Sequence, residues 1–180
     1  MQPYWTNGRQ TIYCGDWRTM PLPTDFGIAL LDPPAEVAPF FCSLAARQVY
    51  FGLPVSEHIE QVAALKPDTV SLWMPKLPLR IKAKLSMRQI LMPVWAWGIP
   101  NVAPLYTDAL NPEDGAEKPV SLLKELLWNP YYLAAPYSVL DPFMGTGNSL
   151  LACKELGIEA VGVEMDEVKC AIAAKKLEAV

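Results

Sequence analysis

The stretch Ser138-Val-Leu-Asp-Pro-Phe-Met-Gly-Thr-Gly-Asn-Ser-Leu-Leu-Ala-Cys153, near the end of the 180-residue chain, decides the fold. It reads as a short apolar strand, a turn that contains Gly145 and Gly147, and a helix that opens near Asn148. Glycines let a ligand approach the backbone closely, and the first turn of a helix offers free N–H groups. The arrangement is typical of nucleotide-binding turns, although ordinary α/β turns share it.

A second apolar strand, Ala160-Val-Gly-Val-Glu164, ends in an acid about twenty residues after Asp141. From this position in a βαβ unit a carboxylate reaches a ribose hydroxyl. The turn between the two strands lacks the GxGxxG spacing of dinucleotide enzymes, so NAD is not the predicted ligand.

A third strand, Gly27-Ile-Ala-Leu-Leu31, contains no polar residue, which is typical of a parallel strand buried on both faces. It ends at Asp32-Pro33-Pro34. Ligands of open α/β sheets bind outside the carboxyl ends of the strands. We therefore expect Asp32 and Asp141 to face one cleft.

The segment Asp141-Pro-Phe-Met-Gly-Thr-Gly147, together with the earlier Asp32-Pro33-Pro34, resembles the S-adenosylmethionine-dependent DNA amino-methyltransferases. The order, with Asp-Pro-Pro first and the glycine turn last, resembles the circularly permuted β group, which methylates adenine N6 or cytosine N4. The resemblance implies a doubly wound, Rossmann-like α/β fold with a mostly parallel sheet and one antiparallel strand. We expect a single domain over residues 1–180, without a separate target-recognition domain.

The resemblance implies that Asp32 and the Pro33 carbonyl accept hydrogen bonds from an exocyclic amino group. This localises the nitrogen lone pair toward the methyl sulfonium, and the rest of the catalysis is positioning. Pro33 and Pro34 stiffen the turn and fix the direction of that carbonyl. Because the motif begins with Asp and not Ser, the resemblance favours adenine N6 over cytosine N4. Taken alone, Asp-Pro-Pro would be an ordinary turn that terminates a strand.

The resemblance also assigns residues to the cofactor. Those of the glycine turn are Asp141, Phe143, Gly145, Thr146 and Gly147. Glu164 is expected at the ribose. Asp16, in the pair Gly15-Asp16, is expected at the adenine amino group, with Trp17 against the ring. The alternative for Asp16 is a turn aspartate that caps the next segment.

Lys118 and Pro119 open a predicted helix over Val120–Leu127, with Pro119 at the first helical position. They match the family segment that wraps the methionine end of the cofactor. Lys118 either reaches the cofactor carboxylate or is an ordinary loop lysine.

Ala35 departs from the family pattern, because an aromatic residue that stacks on the flipped base usually follows Asp-Pro-Pro. Stacking of this kind contributes roughly 1–3 kcal/mol per base. Either Phe40 or Phe41 substitutes for it, or the chain is a catalytically degenerate, cofactor-binding subunit or binding module. A third alternative, methylation of RNA or of a protein glutamine, is disfavoured by the permuted motif order.

The net charge of −4 is unfavourable for a DNA enzyme, since phosphate neutralisation supplies most non-specific affinity. A local basic stretch offers a compensating surface for DNA, or it is an ordinary solvated loop; its residues are Lys76, Arg80, Lys82, Lys84 and Arg88. The chain lacks the long inserts of sequence-specific relatives. We therefore expect short and loose specificity, or a homodimer or partner protein that supplies the DNA grip, as would suit a phage or mobile-element enzyme.

The remaining composition excludes several classes of protein. Four scattered cysteines without a CxxC pair indicate reduced thiols, and a single histidine, His58, argues against a metal site. Hydrophobic residues make up 52% of the chain, yet no run is long enough to span a membrane and no signal-peptide pattern is present. We expect a cytoplasmic protein of a prokaryotic or phage-infected cell.

Further elements follow from local patterns. We predict strands at 10–14, 48–51 and 69–73, and helices at 40–47, from Ser56 to about Leu65, and from Asp166 to Leu177. Pro93 interrupts an apolar strand, which argues for an edge position or a bulge. Trp95 and Trp97 share a face and are expected in the core, and Ile99–Gly115 reads as a loop.

Overall fold

The computed structural model describes residues 2–34, 36–37, 40, 42–51, 56–75, 92–99, 105–108, 117–128 and 137–180. Nine strands in these ranges form one mixed sheet, and helices pack against it. None of the described helices is long and apolar enough to cross a membrane.

The strands are β1 Trp5–Thr6, β2 Gln10–Cys14, β3 Phe26–Leu31, β4 Ala45–Phe51, β5 Thr69–Pro75, β6 Met92–Trp97, β7 Leu105–Asp108, β8 Ser138–Asp141 and β9 Glu159–Glu164. The helices are α1 Ser56–Ala64, α2 Val120–Leu127, α3 Asn148–Leu156 and α4 Glu167–Glu178. A single 3₁₀ turn covers Trp17–Thr19.

The strand order is β1-β2-β9-β8-β3-β4-β6-β5-β7, and the five strands from β2 to β4 in this order are parallel. The strands β8 and β3 are neighbours at the centre of this parallel part. The strand β9, which follows β8 in sequence, lies on one side of this pair, and β4, which follows β3, lies on the other. The order therefore reverses between β8 and β3, and a crevice is expected outside their carboxyl ends. Asp141 ends β8 and Asp32 directly follows β3.

Two described strands run antiparallel to their neighbours, where the sequence predicted one. They are β1, which pairs with β2, and β6, which lies between β4 and β5. The prediction for Pro93 is wrong on both counts. Its strand is interior, and the register between β5 and β6 is continuous, with Pro93 opposite Leu72. Pro93 is the second residue of β6, close to the strand end, where a missing N–H costs least.

The core lies on both faces of the sheet, because successive side chains of a strand point to opposite sides. Ile28 and Leu30 of β3 belong to a buried cluster that includes apolar residues of α2, α3 and α4. Ala29 and Leu31 belong to a second cluster beside α1, and this cluster also contains Trp95 and Trp97. Both tryptophans are 7% exposed, which confirms their prediction as core residues.

Most predicted elements are confirmed, but the predictions for two further segments are wrong. The helix expected over 40–47 is absent from the described part of that range, because Ala45 begins β4 and pairs with Phe26. The loop expected over Ile99–Gly115 contains β7, which runs parallel to β5; its other residues, apart from Ile99, lie outside the described part of the chain. Pro119 lies one residue before the predicted position, as the N-cap of α2.

Candidate active site

A cavity of about 1140 Å³ lies at the carboxyl ends of the parallel strands. It brings together most of the site residues predicted from sequence: Asp16, Trp17, Asp32, Pro33, Pro34, Lys118, Asp141, Phe143, Gly145, Thr146 and Glu164. The other two predicted residues do not line it. Pro119 caps α2, and Gly147 forms the N-cap of α3.

Two glycines in the turn between β8 and α3 have positive φ values but differ in the space around them. Gly147 has a φ of 82°, and a Cβ at this position would lie 2.7 Å from the Cβ of Ala173 on α4. Gly145 has a φ of 55°, but a Cβ there would meet only Glu117 Oε1, at 3.9 Å. Gly147 therefore permits close packing of α4, whereas Gly145 keeps the turn open toward the cavity.

A polar network that the sequence did not predict ties the segment before α2 to this turn. Glu117 accepts hydrogen bonds from the backbone N–H and the hydroxyl of Thr146 and from Asn148 Nδ2. Lys176 on α4 donates to Thr146 Oγ1 and to Asn148 Oδ1, each over 2.7 Å. The partners are about 30 residues apart in sequence, so no local pattern could have indicated the network.

Asp141 is a buried carboxyl group at the centre of the site, with 7% of the residue exposed. Its Oδ1 accepts a hydrogen bond from the Phe143 backbone N–H over 3.0 Å, which fixes the start of the turn. Burial raises the pKa of Asp141 to about 7, and the nearby carboxylates of Asp32 and Glu164 act in the same direction. At neutral pH this group is therefore divided between its two protonation states.

Asp32 is paired with Lys118. The Lys118 ammonium lies 2.5 Å from Asp32 Oδ2 and 5.2 Å from the centre of the Phe51 ring. Burial raises the pKa of Asp32, and the charge and hydrogen bond of Lys118 oppose that shift. Lys118 is 7% exposed, so it is not a solvated loop lysine; of the two alternatives, the cofactor contact stays a prediction.

Asp16 caps the 3₁₀ turn that follows it, which is the alternative function predicted for this residue from the sequence. Its Oδ1 accepts a hydrogen bond from the Arg18 backbone N–H over 3.0 Å, at the start of the 3₁₀ turn. Hydrogen bonds from Arg18 also lower the pKa of the Asp16 carboxyl. The residue still lines the cavity, so capping and a cofactor contact are compatible.

Three aromatic rings form one wall of the cavity. Trp17 and Phe40 are stacked, with ring centres 5.4 Å apart and an interplanar angle of 15°. The edge of Phe143 meets both rings, at 6.5 Å from Trp17 and 6.0 Å from Phe40. Phe40 is one of the two residues predicted to replace the aromatic missing at Ala35, and the structure places it beside the predicted adenine contacts.

Glu164 lies where the sequence predicted an acid, at the end of β9. One carboxylate oxygen accepts a hydrogen bond from the Gly145 N–H, and the other accepts one from the Asp166 N–H. Cys14 of β2 is its partner in the sheet register, so the ends of β2 and β9 are adjacent. Asp16 and Glu164 thus border the same side of the cavity.

Some predictions fall on residues outside the described part of the chain: Ala35, Phe41 and the basic stretch from Lys76 to Arg88. Within the described part, no group of three or more His, Cys, Asp or Glu residues is arranged to hold a metal ion. The four cysteines are free thiols.

A family model described as "DNA methylase", for N6/N4 methyltransferases, matches residues 73–175. The chain belongs to the DNA methylase family. A curated relative, the type II methyltransferase M.MjaII of Methanocaldococcus jannaschii, is 38% identical over 52 residues. That match spans 27% of this chain and only 10% of the relative.

Solved structures of DNA methylases share the fold. The M1.HpyAVI–SAM complex has a TM-score of 0.67 at 20% identity, over 93% of this chain and 98% of that chain. The cytosine-N4-specific PvuII DNA methyltransferase has a TM-score of 0.70 at 14% identity, over 97% and 88% of the two chains. These likenesses confirm the α/β Rossmann-like methyltransferase fold, while the β-group, permuted and phage-type assignments stay predictions.

Proposed function

We propose that this DNA methylase family member transfers a methyl group from S-adenosylmethionine to an exocyclic amino group of DNA, with adenine N6 preferred to cytosine N4. One observation carries the proposal. Asp32 and Asp141 lie at the carboxyl ends of neighbouring parallel strands at the reversal of strand order, and both line one cavity with the glycine turn. This is the place where open α/β sheets bind their ligands.

The cavity has the charge that this cofactor requires. S-adenosylmethionine carries a sulfonium and an ammonium against one carboxylate, so it is a net cation. The described lining has five carboxyl side chains (Asp16, Asp32, Glu117, Asp141 and Glu164) and three cationic ones (Arg18, Lys118 and Lys169). A surplus of acids favours a cationic ligand.

The shape of the site fits as well. The open space over Gly145 admits a ligand close to the backbone, and the rings of Trp17 and Phe143 offer apolar surface for an adenine. We expect Asp16 to accept a hydrogen bond from the adenine amino group and Glu164 to accept one from the ribose. The bound cofactor supplies an electrophilic methyl group, and the protein supplies position and charge.

The catalytic contribution of the chain comes from the turn after β3. Asp32 Oδ2 accepts a hydrogen bond from Lys118, and we expect the Asp32 carboxylate to accept a hydrogen bond from the target amino group. The Pro33 carbonyl accepts the other amino hydrogen, and Pro34 restricts the backbone of the turn. Together they concentrate the nitrogen lone pair on the side that faces the methyl group, and in-line positioning does the rest.

The test is incubation of the purified protein with radiolabelled S-adenosylmethionine and unmethylated genomic DNA, followed by nucleoside analysis. We expect label in N6-methyladenine, and no label with Asp32→Ala, in which cofactor binding is retained. Label in N4-methylcytosine would keep the mechanism and change the base. Unchanged turnover in Asp32→Ala would remove Asp32 from the mechanism.

One structural observation favours the second candidate, a catalytically degenerate cofactor-binding subunit. Phe40 packs against Trp17 and Phe143, the two rings that we propose hold the adenine, so its ring is already engaged with them. With Ala35 at the usual stacking position, base capture would then rest on other residues. Cofactor binding by calorimetry without methyl transfer to DNA would support this candidate. A homodimer or specificity partner and a cytoplasmic location belong to both proposals.

A further inference from the structure

The contact between Lys118 and Asp32 joins two segments that are 86 residues apart in sequence. Lys118 lies two residues before α2, Asp32 directly follows β3, and both residues line the cavity. The lysine side chain is 7% exposed, whereas the aspartate side chain keeps 37% exposure toward the cavity. The ammonium is therefore the buried partner, and the carboxylate is the one that a substrate can reach.

The surroundings of Lys118 favour this position. Its ammonium lies 5.2 Å from the centre of the Phe51 ring, within the range of a cation–π contact. Its backbone carbonyl accepts a hydrogen bond from Asn148 Nδ2 over 3.0 Å, which anchors the segment to the start of α3. Lys118 is thus held from both ends, by its backbone and by its charged tip.

The groups that face Asp32 come from three elements. Tyr50 of β4 and Asp141 of β8 interact electrostatically with it, and Lys118 faces it from the segment before α2. Burial raises the pKa of Tyr50 to about 12, so this phenol is neutral at physiological pH. Asp141 brings a negative charge when it ionises. Of these neighbours, Lys118 supplies the positive charge.

We propose that Lys118 is a positioning residue for Asp32: it holds one carboxylate oxygen, leaves the other for the target amino group, and keeps the carboxylate charged inside the cavity. The inference deepens the proposed methyl transfer and rests on it for its meaning in catalysis. It also gives Lys118 a function besides the predicted contact with the cofactor carboxylate, because its ammonium donates one of its three N–H groups to Asp32 Oδ2.

A titration tests the pair without any catalytic assay. The carboxyl carbon of Asp32, assigned with Asp32→Asn, is followed by ¹³C NMR against pH in the wild type, Lys118→Met and Lys118→Arg. Loss of the ammonium should raise the midpoint by about one pH unit or more. Lys118→Arg keeps the charge and should remain close to the wild type. An equal midpoint in all three proteins would overturn the proposal.

A second readout does not depend on a variant that folds. In the wild-type protein, the ¹⁵Nζ resonance of Lys118 should shift with the Asp32 titration, because the two groups share a hydrogen bond. A Lys118 resonance that is insensitive to the Asp32 carboxyl would also overturn the proposal.

Kinetics then separate positioning from cofactor binding. For Lys118→Met we expect kcat at pH 6 to fall about tenfold or more and to recover partly at pH 9, while the Kd for S-adenosylmethionine changes less than about threefold. A rise in that Kd of about tenfold, with Asp32 titrating normally, would instead assign Lys118 to the cofactor. If the wild type transfers no methyl group and the titrations still shift, the pairing stands and the proposed function fails.

Discussion

The carboxylate of Glu164 accepts a hydrogen bond from the backbone N–H of Gly145 over 3.1 Å, and so joins the end of β9 to the glycine turn after β8. Its second oxygen accepts a hydrogen bond from the Asp166 N–H over 2.9 Å, at the start of α4. One side chain therefore orders the turn and the loop that border the cavity.

Replacement of Glu164 by alanine should weaken binding of S-adenosylmethionine more than replacement by glutamine. Hydrogen bonds to charged groups contribute about 1.5–3 kcal/mol, so we expect the Kd to rise roughly ten- to a hundredfold in Glu164→Ala. Glu164→Gln keeps one acceptor oxygen, so its Kd should lie between those of the wild type and Glu164→Ala. Calorimetry measures the three constants, and Glu159→Ala, at the exposed opposite end of the same strand, is the matched control. Wild-type affinity in Glu164→Ala would contradict the assignment.

The buried carboxyl of Asp141 should make stability depend on pH. Its pKa in the folded protein is about 7, above the ordinary value of 3.8, so folding favours the protonated form. Its favourable contribution is complete below pH 3.8 and is lost as pH rises through about 7. The loss amounts to at most about 4 kcal/mol.

Asp141→Asn isolates this contribution, because the amide oxygen can still accept the hydrogen bond from Phe143. We expect the variant to be more stable than the wild type at pH 8 and to show a flatter pH dependence between pH 4 and pH 8. Urea unfolding at several pH values supplies the comparison. If the free energy of unfolding depended on pH in the same way in both proteins, ionisation of Asp141 would not destabilise the fold.

The elements that sequence predicted best are those in which local pattern and tertiary packing agree. The bounds of β2 and α2 match their predicted ranges, and those of β3 and β9 lie within one residue of theirs. The Asp-Pro-Pro and glycine-turn motifs each follow an apolar run, so the sequence predicts Asp32 and Asp141 at the ends of strands. The carboxyl ends of parallel strands meet at one edge of the sheet. That topology brings their side chains into one cavity.

The sequence failed where contacts distant along the chain decide the structure. Ala45 and Ala46 have high helix propensity, yet Ala45 pairs with Phe26 of β3, and sheet pairing outweighs a weak local preference. The pairing of Lys118 with Asp32 and the hydrogen bonds of Glu117 to the glycine turn also join segments that are distant in sequence. No periodicity or motif in these segments predicts which side chains will contact one another.

Gly147 and Gly157 form a matched pair for a test of helix packing. Both have left-handed φ values, 82° and 70°, but a Cβ at Gly157 meets nothing within 4 Å. Gly157→Ala should therefore cost only the backbone strain, about 1–2 kcal/mol. Gly147→Ala should cost more, because its Cβ would also meet Ala173. Thermal and urea unfolding give the two values.

The control for this pair is the double variant Gly147→Ala with Ala173→Gly. Removal of the Ala173 Cβ relieves the contact and leaves the backbone strain, so the double variant should regain part of the stability lost by Gly147→Ala. Equal costs for Gly147→Ala and Gly157→Ala would show that the packing of α4 against the turn adjusts freely.

Phe40 and Ala35 should affect different ligands. The Phe40 ring contacts Trp17 and Phe143, so Phe40→Ala should raise the Kd for S-adenosylmethionine by roughly three- to tenfold, as expected for loss of an aromatic pair. Phe40→Leu, which keeps apolar volume, is its control. Ala35→Tyr restores the aromatic of the family pattern and should improve kcat/KM for DNA by about tenfold or more, with the cofactor Kd unchanged. If Phe40→Ala instead impairs only DNA methylation and Ala35→Tyr has no effect, Phe40 is the residue that stacks on the base.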